Sequence, residues 1–332
     1  VGLMLEVLPG GAEVGGNIGV PMLDMLRDSG KPARTVLELS SFQLERCRKV
    51  HPRWAVLLNV QPDHADMHAS MKAYEAAKLK LFSAQGKGDT AMLPLDRHWN
   101  RLAGRLRRRG VHIRRFGLVA DAGLADAGLL TGKDQGSLFW AEGDKRHDVS
   151  LDRIMLRGEH QQLNLAVAAQ AAADFGVSAS VIREAVTAFR GLDHRLRYIG
   201  HRAGKPWYDD SKATNPDAAK AALASFEHVI WICGGLTKGL DLTPLTESVA
   251  RRVAYAYIIG KQPKPYKELL KQAGVPFQVV GDIQKAVALA AEHRMPFPVL
   301  LSPAAASQDQ FTDYAERGDR FMEAVASLEK AA

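Results

Sequence analysis

The sequence predicts an α/β protein of two domains built on mostly parallel sheets, and three observations predict it. The 332 residues exceed one ordinary domain, so two separate cores are expected. Apolar, β-branched runs recur, each followed by a polar or glycine-rich turn and then by helical periodicity, as parallel strands joined by crossover helices require. Near Gly191-Leu192-Asp193 a helical pattern ends and a fresh strand begins, which places the domains at 1–191 and 192–332.

Residues 1–8 read as the tail of an apolar helix with no start signal, and the chain opens on Val1 rather than Met. A segment upstream is therefore expected. A helix follows over 21–28, then strands over 35–39 and 54–60, a helix over 71–84 and a strand over 90–93. Between 121 and 151 short segments with Gly, Asp and Lys turns predict an antiparallel patch. Helices over 162–175 and 180–189 close the first domain. The second opens with strands over 197–200 and 206–209 around the turn at Ala203-Gly204, then a helix over 216–226. Strands over 228–233, 254–259 and 298–302 alternate with helices over 266–273 and 311–328.

Composition narrows the class. With 46% hydrophobic and 24% charged residues the chain is globular in type. It holds no apolar run of roughly 18 residues, so no membrane span is expected, and no secretory leader is visible. Cys47 and Cys233 are too few and too far apart for a disulfide framework or a zinc cluster, which fits a reducing cytoplasm. The formal charge of +7 suits phosphorylated, anionic substrates and also nucleic acid. Much of the excess lies in Arg101, Arg105, Arg107, Arg108, Arg109, Arg114 and Arg115. That run lacks the interleaved aromatics of single-strand binders and reads as a solvated helix face and loop; nucleic-acid binding is the weaker alternative.

In open α/β sheets ligands bind at the carboxyl ends of strands, and those ends carry chemistry here. The strand over 35–39 ends in Glu38 and Ser40-Ser41-Phe42-Gln43. A carboxylate in an apolar strand needs a partner unless the strand is an edge. The strand over 54–60 ends in Asn59 and then Asp63-His64. If the two strands are neighbours, Glu38 and His64 can share a divalent cation, and a site so poor in protein ligands suits Mg²⁺ with its waters. On the following helix Lys78 has Tyr74 at i−4, Leu81 at i+3 and Phe82 at i+4, which puts it on the apolar face, whereas Lys80 and Lys72 face small or charged residues. A lysine on that stripe is expected to have a depressed pKa and a reactive neutral fraction; the alternative is a snorkelling side chain.

The second domain has its own set. Asp209-Asp210-Ser211-Lys212-Ala213-Thr214-Asn215-Pro216-Asp217 runs from strand to helix, with Thr214 or Asn215 as N-cap, Pro216 at the first helical position and Lys212 ready for an anion. Gly234-Gly235-Leu236-Thr237-Lys238-Gly239 is a glycine-rich strand end with a cation, and residues 303–311 form a small-residue turn that opens a helix.

Together these segments resemble the Mur ligase superfamily. The resemblance is carried by Gly15-Gly16-Asn17-Ile18-Gly19, Leu37-Glu38-Leu39-Ser40-Ser41-Phe42-Gln43-Leu44-Glu45, Asn59-Val60…Asp63-His64, Tyr74…Lys78, Gly158-Glu159-His160…Asn164, His194-Arg195, Asp210-Ser211-Lys212-Ala213-Thr214-Asn215, Gly234-Gly235…Lys238-Gly239 and Leu301-Ser302-Pro303…Ser307…Asp309-Gln310-Phe311. These stretches span nearly the whole chain, in family order.

The resemblance implies a central ATPase domain followed by a Rossmann-like domain that binds glutamate. It implies ATP-dependent addition of D-glutamate to UDP-N-acetylmuramoyl-L-alanine in peptidoglycan precursor synthesis, by a cytoplasmic monomer that uses neither nucleic acid nor membrane. By the same resemblance Glu38 and His64 are magnesium ligands, one of two Mg²⁺ sites, and Lys78 is the lysine that CO₂ converts to a carbamate. Asn17, Ser41 and Gln43 contact the UDP-linked substrate. Asn164 meets adenine, and Arg195 and Asp210 lie near the ATP phosphates and ribose. Lys212, Thr214, Lys238, Ser307 and Tyr314 form the pocket for incoming glutamate.

The sequence also departs from the family pattern. A uridine-binding domain and a Gly-Lys-Ser/Thr phosphate loop, which the family has ahead of these motifs, do not appear. The expectation is of a fragment that folds but does not turn over alone. Gly128…Gly132-Lys133-Asp134 has Ala127 and Asp134 where a phosphate loop needs Gly and Ser or Thr, and reads as a hairpin turn. Met67 stands where the family often has Arg, and Gln161 and Leu163 vary the adenine-side pattern. Addition of L-glutamate, a folate-type polyglutamate ligase and a non-catalytic basic binding protein remain as alternatives.

Overall fold

The computed structural model describes residues 1–17, 20–28, 33–60, 70–130, 136–156 and 158–328. It is an α/β protein of two compact units, residues 1–154 with 162–188, and residues 155–161 with 189–332. The division falls between Ala188 and Phe189, and the segment 155–161 joins the second unit, a crossover that no sequence signal marks.

The first unit opens with α1 (Gly2–Leu5), β1 (Glu13–Gly16), α2 (Met22–Asp28) and β2 (Thr35–Glu38). β1 and β2 form a two-stranded parallel sheet. Its register brings Gly16 opposite Glu38, so closely that a Cβ on Gly16 would fall 2.3 Å from the Glu38 carbonyl oxygen. Helix α3 (Ser41–Arg46), absent from the sequence reading, starts on a capping box: Ser40 Oγ accepts from the Gln43 N–H, and Gln43 Oε1 accepts from the Ser40 N–H.

A six-stranded sheet then runs in the order β3 (Trp54–Val56), β4 (Thr90–Pro94), β5 (His112–Val119), β6 (Ala127–Leu130), β7 (Ser137–Glu142), β8 (Lys145–Ser150). It is parallel from β3 to β6 and antiparallel from β6 to β8, which accounts for the texture at 121–151. Gly128 is a strand residue of β6 rather than part of a turn, and a Cβ there would fall 2.0 Å from Gly117 O. Residues 131–135, which link β6 to β7, lie outside the described residues.

Two expectations need correction. The strand placed at 54–60 stops at Val56: Leu57 N–H still reaches Met92 O, and beyond it the run has no described pairing partner. Among the described residues β2 pairs with β1 and β3 with β4, so the strands of Glu38 and His64 are not neighbours in one sheet. Glu38 is exposed on β2 and therefore pays no burial cost, so burial gives no argument for a partner there.

Helix α4 (Met71–Leu79) tightens into a 3₁₀ turn over Lys80–Phe82, so the helix read to residue 84 is shorter. Helix α5 (Asn100–Arg108) packs Leu102, Ala103 and Leu106 against Ala55, Ala91 and Leu93 and turns its arginines to solvent. Arg114 is not part of that solvated face. It lies in β5, and its guanidinium bonds Asp174 at 2.6 Å and Asp126 at 2.9 Å. Asp174 ends α6 (Glu159–Asp174) and also accepts from Trp54 Nε1, so one carboxylate ties the helix to β3 and β5. Helix α7 (Ala179–Ala188) completes the unit.

The second unit has a six-stranded sheet in the order β13 (Phe277–Gly281), β12 (Val253–Ile259), β11 (Val229–Gly234), β14 (Val299–Leu301), β10 (Lys205–Asp209), β9 (Arg197–Arg202). Only the β10–β9 edge is antiparallel among the described pairings. All six residues of β11 are buried, the mark of a central strand covered on both faces. Val229, Trp231 and Cys233 join one core with α8 (Pro216–Leu223), α9 (Thr246–Arg252) and α10 (Lys264–Gln272). The alternating Ile230 and Ile232 join the other, with α11 (Ile283–Glu292) and α12 (Tyr314–Ser327). The sheet is thus doubly wound, and the carboxyl ends of β11, β14 and β10 stand side by side. No helix among the described residues is long and apolar enough to cross a membrane.

Candidate functional site

In the first unit the structure brings Asn17 and Glu38 together. The Asn17 N–H donates to Glu38 O at 2.7 Å, and its Nδ2 donates to Glu38 Oε1 at 3.3 Å. The tight β1–β2 register produces this contact, and both side chains remain exposed. Ser41, at the first position of α3, is buried. Gln43 uses Oε1 in the capping box, so its Nε2 is the donor left to face a ligand. Lys78 is half-buried on α4, with Nζ 5.0 Å from the centre of the buried Tyr74 ring. That places it on the stripe its spacing predicts. Lys80, in contrast, is exposed and donates to Glu45 O. Asn164 is exposed on α6. His64 lies outside the described residues, as does Met67.

The second unit gathers more. His194 adopts φ 61° and is buried, and its Nδ1 donates to Asp209 Oδ2 at 2.7 Å. That bond, which outweighs burial, raises the His194 pKa. The other Asp209 oxygen accepts from the Ser211 N–H, and His194 O accepts from the Lys212 N–H. Gly318 of α12 faces the imidazole where no side chain fits: a Cβ would fall 2.0 Å from Nδ1.

Asp210 points inward. Its oxygens accept from the Leu196 N–H at 3.0 Å and Ser302 Oγ at 2.8 Å, and burial raises its pKa to about 7 against the pull of those bonds. Arg195, two residues beyond Asp193, favours its ionised form from a distance. Lys212 Nζ donates to Tyr314 Oη at 3.1 Å and lies 4.8 Å from the ring centre. Thr214 follows on the same turn, half-buried, with its N–H on Lys212 O.

Lys238 is exposed at φ 52° on the turn after β11. That turn is tied to the turn of Ser307 by reciprocal Leu236–Ala306 backbone bonds of 2.9 and 3.0 Å. Its approach requires glycine, since a Cβ on Gly235 would fall 2.4 Å from Ala306 O. Ser307 is 1% exposed, and its Oγ has no partner among the described residues. A buried hydroxyl without a partner costs about 1–3 kcal/mol, a cost a ligand atom can offset. Beyond it an open depression of about 570 Å³ is lined by Lys261, Asp309 and Phe311.

The sequence reading missed Arg317. It is 1% exposed on α12, its Nε and Nη2 on Ser211 and its Nη1 on Ala305 O. The available signal was position: it shares the apolar stripe of Phe321 and Val325, as Lys78 shares that of Tyr74. Chemically, the strand ends present two cations, Lys212 and Lys238, an unpartnered hydroxyl and helix-start amides, a set that suits a small dianion.

Two family models match the chain, the Mur ligase middle domain over residues 12–172 and the Mur ligase glutamate ligase domain over residues 194–304. The chain is 38% identical over 336 residues to the UDP-N-acetylmuramoylalanine–D-glutamate ligase of Acidobacterium capsulatum, covering 100% of this chain and 71% of that protein. It is 37% identical to the enzyme of the same name from Agrobacterium fabrum, over 96% of this chain and 67% of that one. In fold it is similar to a MurF ligase from Thermotoga maritima solved in complex with ADP, with TM-score 0.69 and 18% identity over 100% of this chain and 77% of that one. A second likeness is to FolC of E. coli in complex with DHPP and ADP, with TM-score 0.61 and 15% identity over 90% and 68%.

Proposed function

The chain belongs to the Mur ligase family, and from that premise we propose that it is an ATP-dependent, ADP-forming ligase joining D-glutamate to UDP-N-acetylmuramoyl-L-alanine. One observation carries the reading. Lys212 with Tyr314, the Lys238 turn and the buried Ser307 hydroxyl follow the ends of three adjacent strands, in a chain whose relatives are named for this activity.

The reaction follows from the chemistry of amide formation. A carboxylate is unreactive toward amines, so the alanyl carboxylate first takes the γ-phosphoryl group of ATP, giving an acyl phosphate and ADP. The glutamate amine then attacks the acyl carbon and a tetrahedral intermediate forms. The C–N bond is kept, the C–O bond to phosphate breaks, and inorganic phosphate leaves. Negative charge on the phosphoryl and carbonyl oxygens must be met by placed donors.

In this reading Lys212, Lys238, Thr214 and Ser307 hold the carboxylates of glutamate, with Tyr314 setting the direction of Lys212. Arg195 meets the ATP phosphates, and the buried Asp210, bonded to the Leu196 N–H and Ser302 Oγ, fixes the backbone next to it. Asn164 meets adenine. Asn17, Ser41 and the Gln43 amide donor face the UDP-linked substrate.

Among the described residues no cluster of three or more His, Cys, Asp and Glu stands ready for a metal. The exposed Glu38 carboxylate, with one oxygen on Asn17, fits a hard cation that keeps most of its waters. Glu38, His64 and a carbamate on Lys78 would hold Mg²⁺, which when bound neutralises charge on phosphoryl oxygens.

Phosphate release from the product of the whole reading frame tests the proposal, with UDP-N-acetylmuramoyl-L-alanine, ATP, Mg²⁺ and either D- or L-glutamate. Release that depends on the UDP-linked acceptor and on D-glutamate is expected. Equal turnover with L-glutamate, or with a folate acceptor, overturns it.

A further inference from the structure

Arg317 is an expensive residue in its place. A guanidinium taken out of water costs several kcal/mol unless paired, and a methionine or leucine of similar volume would bury apolar surface there at no such cost. Among the described residues no carboxylate lies within ion-pair distance of it. Burial draws its pKa down to about 10, with Asp309, Asp209 and Asp210 opposing from further away. Fold stability therefore does not account for an arginine at this position.

Its hydrogen bonds do. Nε donates to Ser211 Oγ at 2.9 Å, Nη2 to Ser211 O at 2.7 Å and Nη1 to Ala305 O at 3.0 Å. Ser211 Oγ donates onward to Tyr314 O at 2.7 Å. One planar fork thus fixes two turns relative to each other and to the start of α12. Each turn carries part of the glutamate pocket one or two residues away: Lys212 beside Ser211, Ser307 two beyond Ala305, and Tyr314 one helical turn before Arg317. Ala306, next to Ala305, holds the Lys238 turn through Leu236. The guanidinium also crowds the last piece, since a Cβ on Gly235 would fall 3.3 Å from Nη1.

We propose that Arg317 is a positioning residue for the acceptor amino acid: its guanidinium fixes the spacing between the Lys212 and Ser307 turns and so sets the grip on an anionic amino acid without touching it. The inference rests on the ligase reading above.

Two measurements test it in the product of the whole reading frame. Arg317→Met is expected to raise the KM for glutamate at least about tenfold, the loss of one charge-assisted hydrogen bond, with the KM for ATP within about twofold. Arg317→Lys, which keeps the charge, is expected to recover part of the loss. Ser211→Ala, which removes the Nε acceptor and the Oγ bond to Tyr314 O but leaves the other two arginine bonds, is expected to shift the glutamate KM the same way by about threefold, and it carries the test if Arg317→Met does not fold. A loss shared equally by both substrates, or no loss, overturns the proposal.

The second measurement needs no turnover. Amide hydrogen exchange at Lys212 and Ala306 is expected to quicken about tenfold or more in Arg317→Lys and Arg317→Met while the amides of β12 hold their protection. Uniform quickening, or none, overturns the proposal. If the wild type transfers no glutamate, the ligase reading fails on its own, and exchange still decides whether Arg317 sets these turns.

Discussion

The Lys212 ammonium is held in place by Tyr314, with Nζ 3.1 Å from the hydroxyl and 4.8 Å from the centre of the ring. A flexible lysine stem gives up rotamer freedom when it binds an anion, and a tyrosine that already fixes the head lowers that cost. Tyr314→Phe keeps the ring and loses the hydroxyl, so the KM for glutamate is expected to rise about threefold with little change in kcat. Lys212→Met removes the cation and is expected to raise it about a hundredfold. Steady-state kinetics with glutamate varied read both.

Asp210 and His194 give the second unit a pH signature. The Asp210 carboxyl titrates near 7 in the fold and near 3.8 in an unfolded chain, so the folded state binds the extra proton between those values. Stability from this group is present at low pH and is lost as pH rises toward 7, with a slope of up to about 1.4 kcal/mol per pH unit. His194, whose pKa is raised chiefly by its bond to Asp209, acts in the same direction: its contribution is full below the unfolded value and is lost as pH rises through the folded one. Asp210→Asn is expected to flatten the fall in Tm between pH 5 and pH 7, as read by thermal melts across that range.

Gly318→Ala places a methyl group 2.0 Å from His194 Nδ1. Either α12 or the imidazole must move, and overpacking of this kind costs about 1–3 kcal/mol. Urea unfolding is expected to show that loss, and nitrogen NMR of His194 to show its bond to Asp209 broken.

Arg114 and Asp174 are expected to matter far more than the arginines of α5. Arg114→Met leaves Asp174 and Asp126 without their cation and is expected to cost about 3 kcal/mol, because both sites are largely screened from water. Arg101→Ala, on the exposed face of α5, is expected to stay within about 0.5 kcal/mol. Chemical denaturation of the two variants separates them, and DNA retention unchanged by Arg101→Ala would tell against a basic binding surface there.

Lys78→Gln is expected to lower kcat by at least about a hundredfold if a carbamate at this position supplies an anionic ligand. The modification itself is expected to give a carbamate carbon signal when the wild-type protein is equilibrated with ¹³C-bicarbonate. A lysine that shows no such signal would leave only the snorkelling alternative.

Much of the second unit was legible because its central strands are buried on both faces, and that burial writes continuous apolar runs such as Val229–Gly234 into the chain; the half-exposed edge strand β13 left no such run. The first unit was harder. β1 is Glu-Val-Gly-Gly, with no β-branched run; it exists because its glycines let β2 approach, a tertiary fact. β5 carries Arg114 and Arg115, which read as solvated charge, yet Arg114 is satisfied by an aspartate sixty residues away. Helix α3 announced itself through Ser40 and Gln43 and was passed over as a strand end. Of the site, the polar groups at strand ends were visible as a set, whereas the expected pairing of β2 with β3 was wrong: among the described residues β2 pairs with β1, and His64 lies outside them. Arg317 was invisible as chemistry, since its partners are two carbonyls and a hydroxyl that any sequence supplies.

The reciprocal Leu236–Ala306 bonds and the Arg317 fork lock three turns into one casting, and this limits how the enzyme can be redesigned. An added or deleted residue in any one turn would throw the other two out of register, so on the proposed ligase reading acceptor preference would be open to exchange of side chains at 212, 238, 307 and 314 and closed to changes of loop length. A library for new amino acids should vary those four positions and leave every glycine between them alone.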